Sequence, residues 1–132
     1  MLDQESLELH RKLKGKLSIK GRAKITNAKD LSLLYTPGVA EPCRKINADK
    51  NLVYELTGKG NNVAIVTDGT RVLGLGDIGP EAALPVMEGK ALIMQQFAKI
   101  DAIPICLATK NADEIVSTVK AIAPNFGATN LS

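Results

Sequence analysis

Lys90 is a candidate catalytic residue, because it is a cation inside an otherwise apolar stretch. We expect residues 85–100 to form a helix with Pro85 at its first position. The residues three and four positions from the lysine, and one turn beyond, are all apolar: Val86, Met87, Ile93, Met94 and Phe97. Lys90 therefore lies on the apolar face of the predicted helix. Such a lysine either extends its ammonium group to water or sits in a dry site, where desolvation makes it a usable general base.

Two further side chains, Tyr35 and Arg71, stand beside turns. Tyr35 ends an apolar run, and the Pro37 and Gly38 that follow are spaced for a type II turn with Gly38 at positive φ. The tyrosine is either a core residue with a satisfied hydroxyl or an acid presented in a cleft. Arg71 separates a TDGT loop from the segment VLGL. It suits paired hydrogen bonds to a carboxylate, although a surface ion pair is the commoner arrangement for arginine.

Gly74, Gly76 and Gly79 have the spacing G-x-G-x-x-G after a predicted strand, and the acid Asp101 follows about twenty residues later, as in a dinucleotide fingerprint. The fingerprint needs its third glycine inside a helix that points at the pyrophosphate. A helix running on from these glycines would contain Pro85 in its interior, at a cost of about 3 kcal/mol. We therefore favour a tight glycine loop, where the backbone approaches a ligand or another chain.

The remaining pattern predicts helices and strands in alternation. The predicted helices cover residues 2–14, part of 41–57, and a stretch opened by Asn111 with Glu114 three positions on. The predicted strands cover residues 62–67, 72–75, 103–107 and 128–132. This alternation predicts an α/β fold with a mainly parallel sheet flanked by helices.

Composition limits the class of protein. The 132 residues carry a net charge of +3, are 45% hydrophobic and 23% charged, and suit one globular domain. Only 3% are aromatic, which argues against a stacking platform for nucleic acid. Two cysteines and one histidine give no metal-ligand pair or disulfide scaffold. The sequence shows no signal peptide and no membrane-spanning run, so we expect the protein in the reducing cytoplasm.

Residues 11–29 are strongly basic, with eight lysines and arginines and no acid. Such a segment could bind anions or nucleic acid. It lacks aromatic residues and any nucleic-acid motif, so we favour a solvated segment that packs on a neighbouring element.

Three long motifs carry a resemblance to a known family: LSLLYTPGVAEPC, VTDGTRVLGLGDIGPEAALPVMEGKAL and APNFGATNL. They resemble the N-terminal, substrate-side domain of malic enzymes, from about Leu31 to Leu131. Malic enzymes oxidise L-malate with NAD or NADP and a divalent metal, Mg²⁺ or Mn²⁺, and release pyruvate and CO₂. The resemblance implies that residues 31–132 form this domain and that residues 1–30 are an N-terminal helix with a basic connecting segment.

The resemblance also implies roles for the three side chains. Tyr35 corresponds to the catalytic tyrosine of the family's Y-T-P motif, and Lys90 to its catalytic lysine. Arg71 corresponds to an arginine that binds a malate carboxylate in many members. Lys90 would take the proton of the 2-hydroxyl group, the metal would polarise the resulting carbonyl, and Tyr35 would protonate the enol carbon.

Three features depart from the family pattern. Family members usually continue after N-L with a Glu and an Asp that bind the metal, whereas Ser132 follows Leu131 here. The NAD(P)-binding domain is not among these 132 residues, and APNFGATN replaces a more usual G-G-I-N. We therefore expect a fragment, a separated domain or a truncated product, inactive alone and without metal ligands or tight binding of metal or cofactor.

Alternatives remain open at this point. The chain could be a catalytically incomplete binding or assembly module, a dinucleotide-binding domain built on the glycine motif, or part of a malolactic enzyme, which converts malate to lactate. The partners expected from the resemblance are L-malate or pyruvate and further copies of the chain in a homodimer or higher homo-oligomer. We expect no nucleic acid and no membrane among them.

Overall fold

The computed structural model describes residues 1–132, which form two compact units. One unit comprises residues 1–17 and 61–132, and the other comprises residues 18–60. The helices are α1 (Leu2–Leu13), α2 (Ala28–Leu34), α3 (Ala40–Ala48), α4 (Val53–Leu56), α5 (Pro80–Ala98) and α6 (Ala112–Ile122). The strands are β1 (Asn62–Thr67), β2 (Asp101–Cys106) and β3 (Ala128–Leu131), and short 3₁₀ turns cover Lys50–Leu52, Lys59–Asn61 and Ala123–Asn125.

The larger unit is built on a parallel sheet with the strand order β2-β1-β3. Its central strand is a run of β-branched and small apolar residues, and its last four residues are buried. Asn62 lies opposite Asp101 of β2, and Val63 lies opposite Ala128 of β3. The prediction of an α/β fold with a parallel sheet flanked by helices is confirmed.

Helix α5 packs along the sheet and supplies half of the core cluster. Its buried residues recur every four positions, so they form one stripe along the helix: Ala83, Met87 and Ala91. Met87 and Ala91 pack with Ile65 of β1 and Ala102 of β2. These contacts hold α5 against the carboxyl half of the central strand β1.

Local signals predicted several elements well. The helix over residues 2–14 is present as α1, and the strand over residues 62–67 is β1. The Asn111 side chain caps α6 by accepting a hydrogen bond of 3.0 Å from the backbone N–H of Glu114, as expected. The predicted last strand is present as β3.

Three local predictions are wrong. Residues 72–75 are not a strand, because Gly74 and Gly76 take positive φ and Val72 pairs back only with Gly76. Helix α5 begins at Pro80, so Pro85 lies inside the helix, where packing of the buried stripe offsets the lost hydrogen bond. The turn after Tyr35 is not type II, because Thr36–Pro37 is a cis peptide and Gly38 does not adopt positive φ.

None of the helices is both long enough and apolar enough to cross a membrane.

Candidate functional site

Lys90 lies at the edge of the buried stripe of α5. Of the apolar neighbours that define its predicted face, Met87 is buried and Met94 is half-buried, whereas Ile93 is 58% and Phe97 is 84% exposed. The lysine itself is half-buried. Its side chain is therefore neither enclosed in an apolar pocket nor fully extended into water. The contacts of its ammonium group are with nearby polar atoms.

Those polar atoms come from the end of β3. The Lys90 Nζ donates to Ser132 Oγ and, at 3.5 Å, to Asn130 Oδ1. Ser132 Oγ in turn donates to Asn130 Oδ1 at 2.9 Å. The backbone of this segment is fixed by the central strand, since Asn130 lies opposite Ile65 and the Ser132 N–H donates to the Val66 carbonyl at 2.9 Å. The ammonium group is thus held at the carboxyl end of the parallel sheet, where α/β proteins bind ligands.

The loop that follows β1, residues 68–79, folds back onto the start of α5. Gly69 accepts backbone hydrogen bonds from Ile78 at 3.0 Å and Gly79 at 3.2 Å, and its own N–H donates to Thr67 Oγ1 at 3.1 Å. Gly69 has φ +77°, and a Cβ there would overlap the Gly79 carbonyl group. Only glycine permits this close approach of loop to helix.

Arg71 is carried on this loop. Its side chain is exposed and makes no hydrogen bond or ion pair within its own unit. An open depression of about 360 Å³ is lined by Arg71 together with Val72, Leu73, Gly74 and Gly76. The surface ion pair considered for Arg71 is therefore not formed within this unit.

Opposite charges also meet at this end of the sheet. The Asp77 carboxylate lies 2.7 Å from the Lys110 ammonium group and raises the pKa of that lysine. The hydroxyl group of Thr70 donates to Asp68 Oδ1 at 2.6 Å and lowers the pKa of that carboxyl group. The loop after β1 is therefore joined to the loop after β2, which carries Lys110.

Tyr35 ends α2 in the smaller unit. Its side chain is 62% exposed, and its hydroxyl group has no hydrogen-bond partner within residues 18–60. The backbone around it is fixed, because its N–H donates to Leu31 at 2.9 Å and its carbonyl accepts from Val39 at 2.7 Å. Tyr35 is therefore not a core residue of its unit.

Residues 1–132 do not form a binding site for a metal ion or for a dinucleotide cofactor. No group of three His, Cys, Asp or Glu side chains could hold a metal ion. The glycine motif does not form a dinucleotide turn, because residues 68–73 separate it from the end of β1 and Gly79 precedes α5 rather than lying inside it. We therefore derive no chemical step from a metal or a dinucleotide bound to residues 1–132.

Sequence reasoning missed Asn130 and Ser132 as neighbours of Lys90. The lysine and the serine are separated by 42 positions in the chain, and no local pattern joins them. The available signal was topological: β3 adds to the sheet beside β1, so its carboxyl end must lie at the same edge as the residues that follow β1.

Comparison with known proteins identifies the family to which the chain is similar. Residues 14–118 match the family described as "Malic enzyme, N-terminal domain". The chain is 60% identical over 130 residues to a bifunctional malic/malolactic enzyme of Bacillus subtilis, with 98% of this chain and 32% of that protein covered. It is 56% identical over 117 residues to an NAD-dependent malic enzyme of Geobacillus stearothermophilus, with 89% and 24% covered. It thus spans about a third or less of the length of these relatives.

Two solved structures have the same fold as this chain. The malic enzyme of Pyrococcus horikoshii superimposes with a TM-score of 0.93 at 45% sequence identity, over 99% of this chain and 31% of that one. The malic enzyme of Entamoeba histolytica gives a TM-score of 0.93 at 36% identity, over 98% of this chain and 28% of that one. The fold and the matched motifs together place this chain in the malic enzyme family, as a copy of its N-terminal domain.

Proposed function

We propose that the chain supplies the substrate side of an enzyme that oxidises L-malate to pyruvate and CO₂ with reduction of NAD or NADP. The single observation that carries the proposal is Lys90, fixed by Asn130 and Ser132 at the carboxyl end of the sheet. Relatives named NAD-dependent and NADP-dependent malic enzymes support the reaction class. A nicotinamide held by the rest of a longer protein would accept the electrons that leave C2 of malate.

In this proposal the residues of the chain bind the substrate and move its protons. Arg71 binds one malate carboxylate by paired hydrogen bonds, since its guanidinium fork is exposed and unpaired within its unit. Lys90, as the general base, accepts the proton of the 2-hydroxyl group. Tyr35 donates a proton to the enol carbon that remains after CO₂ is lost, which gives pyruvate. Both the lysine and the tyrosine would thus act on malate itself.

We infer that residues 1–132 alone do not oxidise malate. They offer no metal-binding group and no dinucleotide turn, and rapid oxidation requires donor and acceptor held in alignment. The purified chain, assayed with malate, Mg²⁺ or Mn²⁺ and either nicotinamide cofactor, should give only background turnover. Turnover above background would contradict this inference.

The test of the proposed function is a chimera in which residues 1–131 replace the matched segment of the Bacillus subtilis relative, with which the chain shares 60% identity over 130 residues, so that the relative's own residues follow Leu131. We expect malate-dependent reduction of NAD or NADP with pyruvate as the product. A folded chimera that leaves both cofactors oxidised and forms no pyruvate would contradict the proposal and favour an assembly module.

A second function is supported by the name of that relative, which is a bifunctional malic/malolactic enzyme. A malolactic reaction converts malate to lactate and CO₂ without net reduction of the cofactor. The same chimera separates the two, because lactate without accumulation of reduced cofactor indicates the malolactic reaction.

We also propose a homodimer or higher homo-oligomer. Helix α1 has no buried residue and exposes leucines along its length, among them Leu2 at 77%, Leu9 at 52% and Leu13 at 53%. Clusters of exposed large apolar residues are typical of surfaces that another chain covers. Light scattering of the purified protein measures the mass, and a monomer at all concentrations would contradict this part of the proposal.

A further inference from the structure

We propose that Lys110 is a positioning residue, whose ammonium group engages Asp77 and so keeps this carboxylate from pairing with Arg71. The Lys110 Nζ donates to Asp77 Oδ2 at 2.7 Å, and both side chains are exposed. Arg71 lies on the same loop as Asp77 and makes no ion pair within its unit. The ion-pair arrangement itself does not depend on the reaction, whereas its meaning for catalysis rests on the proposed binding of a malate carboxylate by Arg71.

The backbone of the loop brings Arg71 and Asp77 to opposite sides of one turn. The Val72 N–H donates to the Gly76 carbonyl at 2.8 Å, and the Gly76 N–H donates to the Val72 carbonyl at 2.9 Å. These two bonds pair the residues as in antiparallel strands, and Arg71 and Asp77 are the next residues on either side of the pair. Side chains in such positions face each other across the pair, so an arginine and an aspartate there are well placed to form an ion pair.

The loop of residues 68–79 carries two acids and one base, and each acid is engaged by another group. Thr70 donates to Asp68 Oδ1 from its hydroxyl group at 2.6 Å and from its backbone N–H at 3.0 Å. Lys110 engages Asp77, and the negative charge of Asp68 also raises the pKa of this lysine. Both carboxylates of the loop therefore have partners, which leaves Arg71 without a neutralising anion from its own loop.

The lysine reaches Asp77 from a backbone that is fixed on the side of α6. Lys110 immediately precedes Asn111, whose side chain caps α6 by accepting a hydrogen bond from the Glu114 N–H at 3.0 Å. The Asn111 N–H donates to Thr109 Oγ1 at 3.1 Å, so the residues on both sides of the lysine are joined. The cation is thus presented to the loop after β1 by a closed turn at the start of α6.

Loss of the Lys110 charge would release Asp77 toward Arg71. A ligand carboxylate would then have to displace Asp77 from the guanidinium group, and exposed ion pairs change an equilibrium constant by about two- to fivefold. Removal of the Asp77 charge as well would leave nothing to displace, so the binding of the ligand should recover. A simple brace between the two loops predicts no such recovery, because removing either partner of a brace has the same effect as removing both.

The direct test follows the Arg71 Nε–H resonance in the 132-residue chain by ¹⁵N relaxation at low salt, where exposed charges are least screened. Lys110→Met should raise the order parameter of this group, because the guanidinium group acquires Asp77 as a partner. Lys110→Met combined with Asp77→Asn should return the order parameter to the parent value. An Arg71 side chain that is equally mobile in all three proteins, or a rise that persists in the double variant, would overturn the proposal.

Lys120→Met is the matched control, because it removes the same charge from an exposed lysine on α6. It should leave the Arg71 resonance unchanged, and so should Lys110→Arg, which keeps a cation beside Asp77. An equal rise in order at Arg71 in Lys120→Met would mean that the net charge of the chain causes the effect, and it would also overturn the proposal.

The meaning for catalysis is tested separately in the chimera with the Bacillus subtilis relative. Lys110→Met should raise KM for malate about two- to fivefold with kcat nearly unchanged, the double variant should recover the parent KM, and Asp77→Asn alone should not raise it. A raised KM in Asp77→Asn, with no recovery in the double variant, would show that the pair only braces the loops and would overturn the proposal. An inactive parent chimera would refute the proposed function and leave the relaxation result standing.

Discussion

Replacing Gly69 with alanine tests whether the loop that carries Arg71 is held by direct backbone contact with the start of α5. Gly69 has φ +77°, a conformation that costs an L residue about 1–2 kcal/mol. A Cβ at this position would also overlap the Gly79 carbonyl group and lie 2.8 Å from the nitrogen of Pro80. These are backbone atoms, so relief requires a shift of the loop or the helix, at about 1–3 kcal/mol. We expect Gly69→Ala to lower the free energy of unfolding by about 2–5 kcal/mol.

Gly74→Ala is the matched control for this prediction. Gly74 has nearly the same backbone angle, φ +78°, but a Cβ there has no atom within 4 Å. The substitution therefore isolates the backbone cost, and we expect a loss of about 1–2 kcal/mol. Urea unfolding followed by circular dichroism gives both values from the midpoints, provided that the slopes agree. Equal destabilisation by the two alanines would refute the close packing of the loop on α5.

Three further predictions concern single side chains. In the active chimera, Arg71→Lys should raise KM for malate and leave the KM for the cofactor unchanged, because it loses the planar fork that binds a carboxylate; a change confined to the cofactor constant would reassign the residue. Tyr35→Phe should slow the conversion of enolpyruvate to pyruvate, while Tyr54→Phe, on a tyrosine that is also exposed, should not; equal rates in both variants would leave Tyr35 without a chemical role. Burial raises the pKa of the Cys106 thiol, so near neutral pH a thiol reagent should label exposed Cys43 well before Cys106, and faster labelling of Cys106 would contradict its placement.

The parts of the fold that were predicted from sequence are those with local causes. The cap of α6 needs only an asparagine three positions before a backbone N–H, and this spacing is visible in the chain. Strand β1 is a short run of β-branched and apolar residues between polar ones, and it is buried as that composition requires. The family was inferred from the resemblance of three long motifs, because the periodicity of apolar residues predicts helices and strands but not a family.

The parts that were wrong depend on tertiary contacts. Both Pro80 and Pro85 suit the first turn of a helix, and the sequence does not say that packing of Ala83 and Met87 on the sheet carries the helix past the second proline. The apolar letters of VLGL favour a strand, yet the positive φ of Gly74 turns the chain back on itself. The partners of Lys90 lie about forty positions away, beyond the reach of any local pattern.

The most direct test of the account is the kcat of the chimera when Lys90 is replaced by alanine. If Lys90 is the base at the carboxyl end of the sheet, its removal should lower kcat for malate by about 10²–10⁴-fold, with a much smaller change in KM. Lys120→Ala, on the exposed face of α6, should keep the parent value. A Lys90→Ala chimera that retains kcat within a few-fold of the parent would contradict the central claim that this lysine carries the chemistry.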